Sequence, residues 1–204
     1  MPCLLTHNTM NTKLQFRSRL IFLLGVLLPA GGFFLPLWQI LMWAPQYPEG
    51  LGMKIWIDNI SGDVKIINAL NHYIGMRNIE VDMFPEFGYM KLVVGLIILS
   101  GLLLVAINRR WSVYTYLGIM IATGMAALYD FYSWGYDYGH NLNPEAPIKV
   151  PGMAYQPPVL GTKQLLNFLA YSGPDSGGWL FIGSAVVTVL VILLEKFTKR
   201  PAIQ

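Results

Sequence analysis

The chain has little of what marks a soluble, disulfide-stabilised or catalytic protein. Its 204 residues include one cysteine, Cys3, so no intrachain disulfide and no CxxC redox pair can form. Histidine is almost as scarce, with His7, His72 and His140 as the full set. Charged residues make up 12%, about half the ~25% of an ordinary soluble domain. No Gly-x-Ser-x-Gly elbow, phosphate-binding loop or HExxH motif is present. His72 and His140 have no serine or cysteine nucleophile placed beside them, so the sequence reads as no enzyme. The long apolar runs contain no histidine and almost no ionisable residue. That argues against haem or quinol chemistry within them and against a charged transport path.

What remains is apolar: 54% of the residues, with a mean hydropathy of +0.48. Four runs stand out, at 20–43, 91–108, 113–130 and 178–195, and a spanning helix needs about 20 residues. Pro29 and Gly31-Gly32 predict a kink in the first. That run continues through Phe33, Phe34, Leu35 and Leu37. It is longer than the ~7–15-residue apolar region of a signal peptide and reads as an uncleaved helix.

Charge sets the expected orientation. The N-terminal tail 1–19, the short turn 109–112 and the C-terminal tail 196–204 flank the runs on one side. With Glu195 beside them, they hold eight basic residues against one acid, while the opposite side holds six basic against ten acidic. The positive-inside rule then puts both termini in the cytoplasm. The basic pI of 8.9 needs no nucleic-acid partner. The fold class expected is an all-α membrane protein, with four transmembrane helices and a small mixed α/β extracytoplasmic cap made of two long loops.

Those loops, 44–90 and 131–177, hold nearly half the chain, and loops beyond about 12–15 residues usually carry structure or function. In the first, Met53, Ile55 and Ile57 alternate with Lys54, Trp56 and Asp58, a strand pattern. Asn59–Gly62 reads as a turn and Asp63 as the N-cap of a helix to about Ile74, closed by Gly75. In the second, aromatic residues from Tyr129 to Tyr138 suit a membrane-interface belt. Asn143-Pro144, Pro147, Pro151-Gly152 and Pro157-Pro158 predict a stiff extended segment, and Gln164–Leu169 a short interfacial helix. Neither loop has enough apolar area for a core of its own, so the two should pack together.

Copper(I) favours thioether and imidazole ligands. The candidate metal ligands are His72, Met76 and Met83, with Met90 nearby, in the first loop, and His140 and Met153 in the second. Each also has a plain structural reading. Methionine fills apolar gaps, His72 can bond within the cap, and His140 can cap a backbone carbonyl. The acids Glu80, Asp82, Glu86, Asp130 and Asp137 read as a solvated face. If Gly75 ends the helix, His72 and Met76 do not share one helical face.

The segments Trp43–Leu51, Leu70–Met76 and Tyr136–Leu142, with Pro151-Gly152-Met153 and Tyr155-Gln156-Pro157-Pro158, resemble a family of bacterial integral membrane proteins encoded beside the copper-maturation accessory genes of nitrous oxide reductase. The resemblance covers about residues 15–195, is specific in the loops and generic in the helices. It implies a multi-pass bacterial inner-membrane protein that assists copper delivery to, or maturation of, a periplasmic copper enzyme. Its partners would be the bilayer and a periplasmic copper chaperone or enzyme, and its cofactor, if any, copper. The alternative is a structural accessory subunit that docks other membrane subunits without binding metal.

Overall fold

The structure is a computed structural model that describes residues 12–148, 152 and 154–197. Four helical stretches are long and apolar enough to cross a membrane. The first joins α1 (Phe16–Leu27) to a 3-10 turn over Leu28–Phe33. The others are α3 (Met90–Ile107), α4 (Arg110–His140) and α5 (Ser176–Phe197). Pro29 and the glycine pair leave their mark as a change of helix type. Twelve α residues at 1.5 Å and six 3-10 residues at ~2.0 Å still span about 30 Å, a hydrocarbon core.

Small residues let these helices approach closely, as suits packing in lipid. Phe22, Val26, Val113, Tyr116 and Val191 are buried at the centre. The Tyr116 ring meets Phe22 edge-on, and its hydroxyl lies 3.3 Å from the Ser184 hydroxyl. Leu92, Leu96, Leu99 and Leu103 of α3 stay exposed on the outer surface, as do Val186, Leu190 and Leu193 of α5. At one end of the bundle the buried Glu195 ties three chain segments together. Its carboxylate accepts from the Gln15 amide at 2.8 Å and from Arg110 Nε at 3.0 Å, while Arg110 Nη2 donates to the Glu195 carbonyl at 2.8 Å. The start of α1, the α3–α4 turn and the end of α5 therefore share one end.

At the other end sits a five-stranded antiparallel sheet in the order β3-β2-β1-β5-β4. Its strands are β1 (Trp38–Ala44), β2 (Tyr47–Ile55), β3 (Ile60–Gly62), β4 (Gly161–Leu165) and β5 (Phe168–Pro174). The central β1–β5 pair joins the two loops into one body, as expected of loops too small to fold alone. Helix α2 (Val64–Ile74) lies against the sheet through Ile67, which packs with Ile40, Leu51 and Met53. Asp63 stands at its N-cap position, but its carboxylate accepts from the Gly52 amide at 2.8 Å and so ties the helix start to β2.

Three boundaries depart from expectation. The first span does not reach residue 43, because Trp38–Ala44 is strand β1. Pro36 interrupts helical hydrogen bonding, and the apolar run after it suits a strand as well as a helix. The helix of the third span does not stop at 130: α4 is one helix of 31 residues, about 46 Å long, so its last turns project beyond a ~30 Å hydrocarbon core. The first ten residues of the second loop, 131–140, are therefore helical, and its irregular part starts at 141. Phe131, Trp134 and Tyr138 form one inward-facing row on that extension, at the helical spacing. The short helix expected over Gln164–Leu169 is the β4–β5 hairpin, with Leu166 at positive φ in its turn.

Candidate functional site

Sheet, α2 and the projecting end of α4 frame a half-open cavity of about 300 Å³. The floor is the inward face of the sheet. Ile40 and Met42 alternate on β1, Ile40 lies opposite Met53 on β2, and Met42 lies opposite Ala170 on β5. Met42 and Met53 are thus diagonal neighbours on one face, within reach of each other for side chains of that length.

The α2 side is shaped by Gly75. Its φ of 80° is left-handed, and the Met76 amide donates to the Asn71 carbonyl at 3.0 Å, which closes a Schellman turn. That turn swings the chain so that Met76 lines the cavity while His72, a turn earlier on the helix, stays exposed. A Cβ on Gly75 would meet the Asn143 carbonyl at 2.8 Å. The close approach lets the Asn143 amide donate to the Gly75 carbonyl at 2.8 Å, and the Ile148 amide donates to the Tyr73 carbonyl at 2.9 Å.

From α4 come Trp134 and Tyr138, their rings stacked with centroids 4.7 Å apart. The Tyr138 hydroxyl accepts from Asn71 Nδ2 at 2.6 Å and donates to the Arg77 carbonyl at 2.8 Å. The last wall is the return of the second loop, with Ile148, Tyr155 and Pro157. It is pinned at Gly139, where a Cβ would sit 2.4 Å from the Gln156 backbone and where the Tyr155 amide donates to the Gly139 carbonyl at 2.9 Å.

The cavity therefore contains three thioethers, stacked aromatics and neutral polar groups. Among the described residues no carboxylate or histidine lines it. Among the described residues no group of three or more His, Cys, Asp or Glu could hold a metal ion. The expected ligands separate. Met76 faces the cavity. Met83 is half-buried in a 3-10 turn at Val81–Met83 and Met90 begins α3, neither lining the cavity. His72 is exposed with its ring near Tyr73. His140 is exposed, its Nδ1 2.8 Å from the Tyr136 carbonyl and its ring stacked on Tyr136 at 4.0 Å. Met153 lies outside the described residues. Met42 and Met53 were not among the expected ligands. The strand alternation through Met53 hinted at one of them, but Met42 sat inside what read as a spanning run.

Nearby, Asp175 links cap to bundle. Burial favours its neutral form, but the Ser176 amide at 2.5 Å and Lys54 at 3.1 Å outweigh that and hold its pKa below the usual carboxylate range. The Asp175 amide also donates to the Leu37 carbonyl at 3.1 Å. Arg77, Asp137 and Asn141 form a second polar cluster on the exposed side of the α4 end.

Together these features define a four-helix membrane protein whose sheet-built cap holds a cavity lined by thioethers and aromatic rings. No protein-family model matches the chain, and no curated protein or solved structure matches it. The functional reading therefore rests on the cavity.

Proposed function

We propose that this chain is a non-catalytic accessory protein of a bacterial inner membrane, and that its periplasmic cap handles Cu(I) on behalf of a copper chaperone or copper enzyme. The observation that carries the reading is the placement of Met42, Met53 and Met76 on the walls of one apolar cavity. Thioethers are soft, neutral donors that select Cu(I) over harder ions, which need oxygen or charged ligands. The donor set fits that ion: these three methionines would hold it, and Trp134 and Tyr138 would shield it from water. When bound, Cu(I) would supply a transferable soft cation. The chain's residues would orient it, exclude solvent and leave its charge weakly compensated, which favours release to a stronger thiolate or imidazole site. The inward charge bias of the tails and the resemblance of the loop segments support the assignment of side and partner.

The test is a Cu(I) titration of the purified protein against a chromogenic chelator. Stoichiometric binding is expected, with a loss of at least tenfold in affinity in the Met42→Leu, Met53→Leu, Met76→Leu triple variant. The His72→Ala, His140→Ala double variant is expected to bind as the wild type does. Absent binding, or binding indifferent to the three methionines, would overturn the reading.

A further inference from the structure

The end of the bundle away from the cap carries an excess of positive charge. Lys13, Arg17, Arg19, Arg109, Arg110 and Lys196 stand there with a single acid, Glu195. That carboxylate is buried and already engaged by Arg110 and the Gln15 amide. The stretches 1–11 and 198–204 contain no Asp or Glu, so they bring no side-chain carboxylate to offset the excess. Arg19 is committed inward, its Nε donating to the Val105 carbonyl of α3 at 3.1 Å. Arg17 is exposed and has no ion pair among the described residues.

Helical geometry puts Arg17 at the rim of an outward-facing seam. Helices α1 and α5 meet at the Gln15–Glu195 bond, and again at Gly25, where an added Cβ would sit 2.8 Å from Val187. At about 100° per residue, Arg17 and Leu24 lie to one side of Gly25, and the buried Phe22 and Val26 to the other. On α5, Val186, Leu190 and Phe197 lie to one side of Val187, and the buried Thr188 and Glu195 to the other. The buried sides share the core, so the outward sides border one seam. Leu24, Val186, Leu190 and Phe197 are all exposed along it. Val186 precedes Phe197 by 11 residues, about 16 Å, the depth of one leaflet of a ~30 Å hydrocarbon core. The Lys196 ammonium lies 6.0 Å from the Phe197 ring centroid, a second cation beside the same rim.

A guanidinium offers a planar fork of donors that matches phosphate oxygens. A zwitterionic headgroup brings its own cation as well, and among the described residues this end has no open carboxylate to receive it. Charge therefore selects a headgroup that is negative overall. We infer that the seam between α1 and α5 binds an anionic phospholipid, its phosphate on Arg17 and one acyl chain along Leu24, Leu190 and Val186. The seam lies at the opposite end from the cap cavity and is independent of Cu(I) binding.

The experiment titrates delipidated full-length protein, in a neutral detergent, with dioleoyl phosphatidylglycerol, dioleoyl phosphatidylcholine or glycerol phosphate, and counts adducts by native mass spectrometry. One phosphatidylglycerol is expected to bind at least about fivefold tighter than phosphatidylcholine, and glycerol phosphate is expected not to bind. Arg17→Gln should bring phosphatidylglycerol down to the phosphatidylcholine level. Its lipid-free melting temperature should match the wild type's, because Arg17 is exposed and has no ion pair among the described residues. Arg19→Gln removes the same charge from the same end but on the side that faces α3, so it should change the affinity less than about twofold. Equal binding of the two lipids would overturn the inference. So would an equal loss in both variants, which marks diffuse attraction, or glycerol phosphate binding as tightly as the lipid.

Discussion

The bundle and the cap solve opposite problems with the same short chain. In the bundle, polar groups along the core pair off, the Tyr116 hydroxyl with Ser184, Thr188 with the Ser184 carbonyl, and Glu195 with Arg110 and the Gln15 amide, while Ser112 Oγ and Asn108 Oδ1 by the α3–α4 turn have no hydrogen-bond partner. In the cap, the sheet, α2 and the end of α4 stop short of filling the space between them and leave Trp134 and Tyr155 with unpartnered donors. Packing density and hydrogen-bond satisfaction are the ordinary state of a protein interior. The cap, where packing leaves a cavity, is where binding belongs, and the bundle is its anchor.

Breaking the anchor should cost most. Glu195→Ala leaves Arg110 without its carboxylate at a site where Glu195 is 5% exposed. Removing one partner of a buried pair costs about 3–5 kcal/mol, which denaturant unfolding in detergent would register. Cu(I) affinity of the protein that remains folded should not change. A next step down is Gly139→Ala, which drives a methyl into the Gln156 backbone. Overpacking of this kind costs about 1–3 kcal/mol. Hydrogen exchange should quicken at the Tyr155 amide while α3 and α5 keep their protection.

Much of this organisation is legible in the sequence because it follows from local chemistry. Hydropathy and length find the four helices, and a glycine after Asn71–Ile74 predicts the left-handed stop at Gly75. The cap is less legible. The Trp38–Trp43 run is apolar throughout, so no periodicity separates a strand from the last turns of a spanning helix. Its strand identity comes from pairing with residues 169–174, more than 120 positions away. The aromatic run after Tyr129 reads as an interface belt by composition, whereas its spacing places Phe131, Trp134 and Tyr138 on the inner face of a continuing helix. The site was hidden for the same reason: Met42, Met53 and Met76 converge only after β1 pairs with β2 and the Gly75 turn redirects the chain. The pairing of His72 with Met76 looks closer in sequence than it is in space.

That turn offers a finer test. Gly75→Ala places a side chain in left-handed backbone, at about 1–2 kcal/mol, and against Asn143. The cap should loosen around Met76, with Cu(I) affinity reduced several-fold and bundle stability intact. The smallest effect is at the junction. Asp175 has its folded pKa below the unfolded value, so its contribution is present above the ordinary aspartate pKa and lost as pH falls through the depressed folded one. With Lys54 half-exposed, the pair contributes up to about 1 kcal/mol. A melting curve of the wild type should drop slightly more than that of Asp175→Asn as pH is lowered below about 4.

X-ray absorption spectroscopy of the Cu(I)-loaded protein tests the central claim most directly, because it reads the donor atoms themselves. Met42, Met53 and Met76 predict a first coordination shell made of sulfur. A shell dominated by imidazole nitrogen, lost on His72→Ala and His140→Ala, would contradict the account.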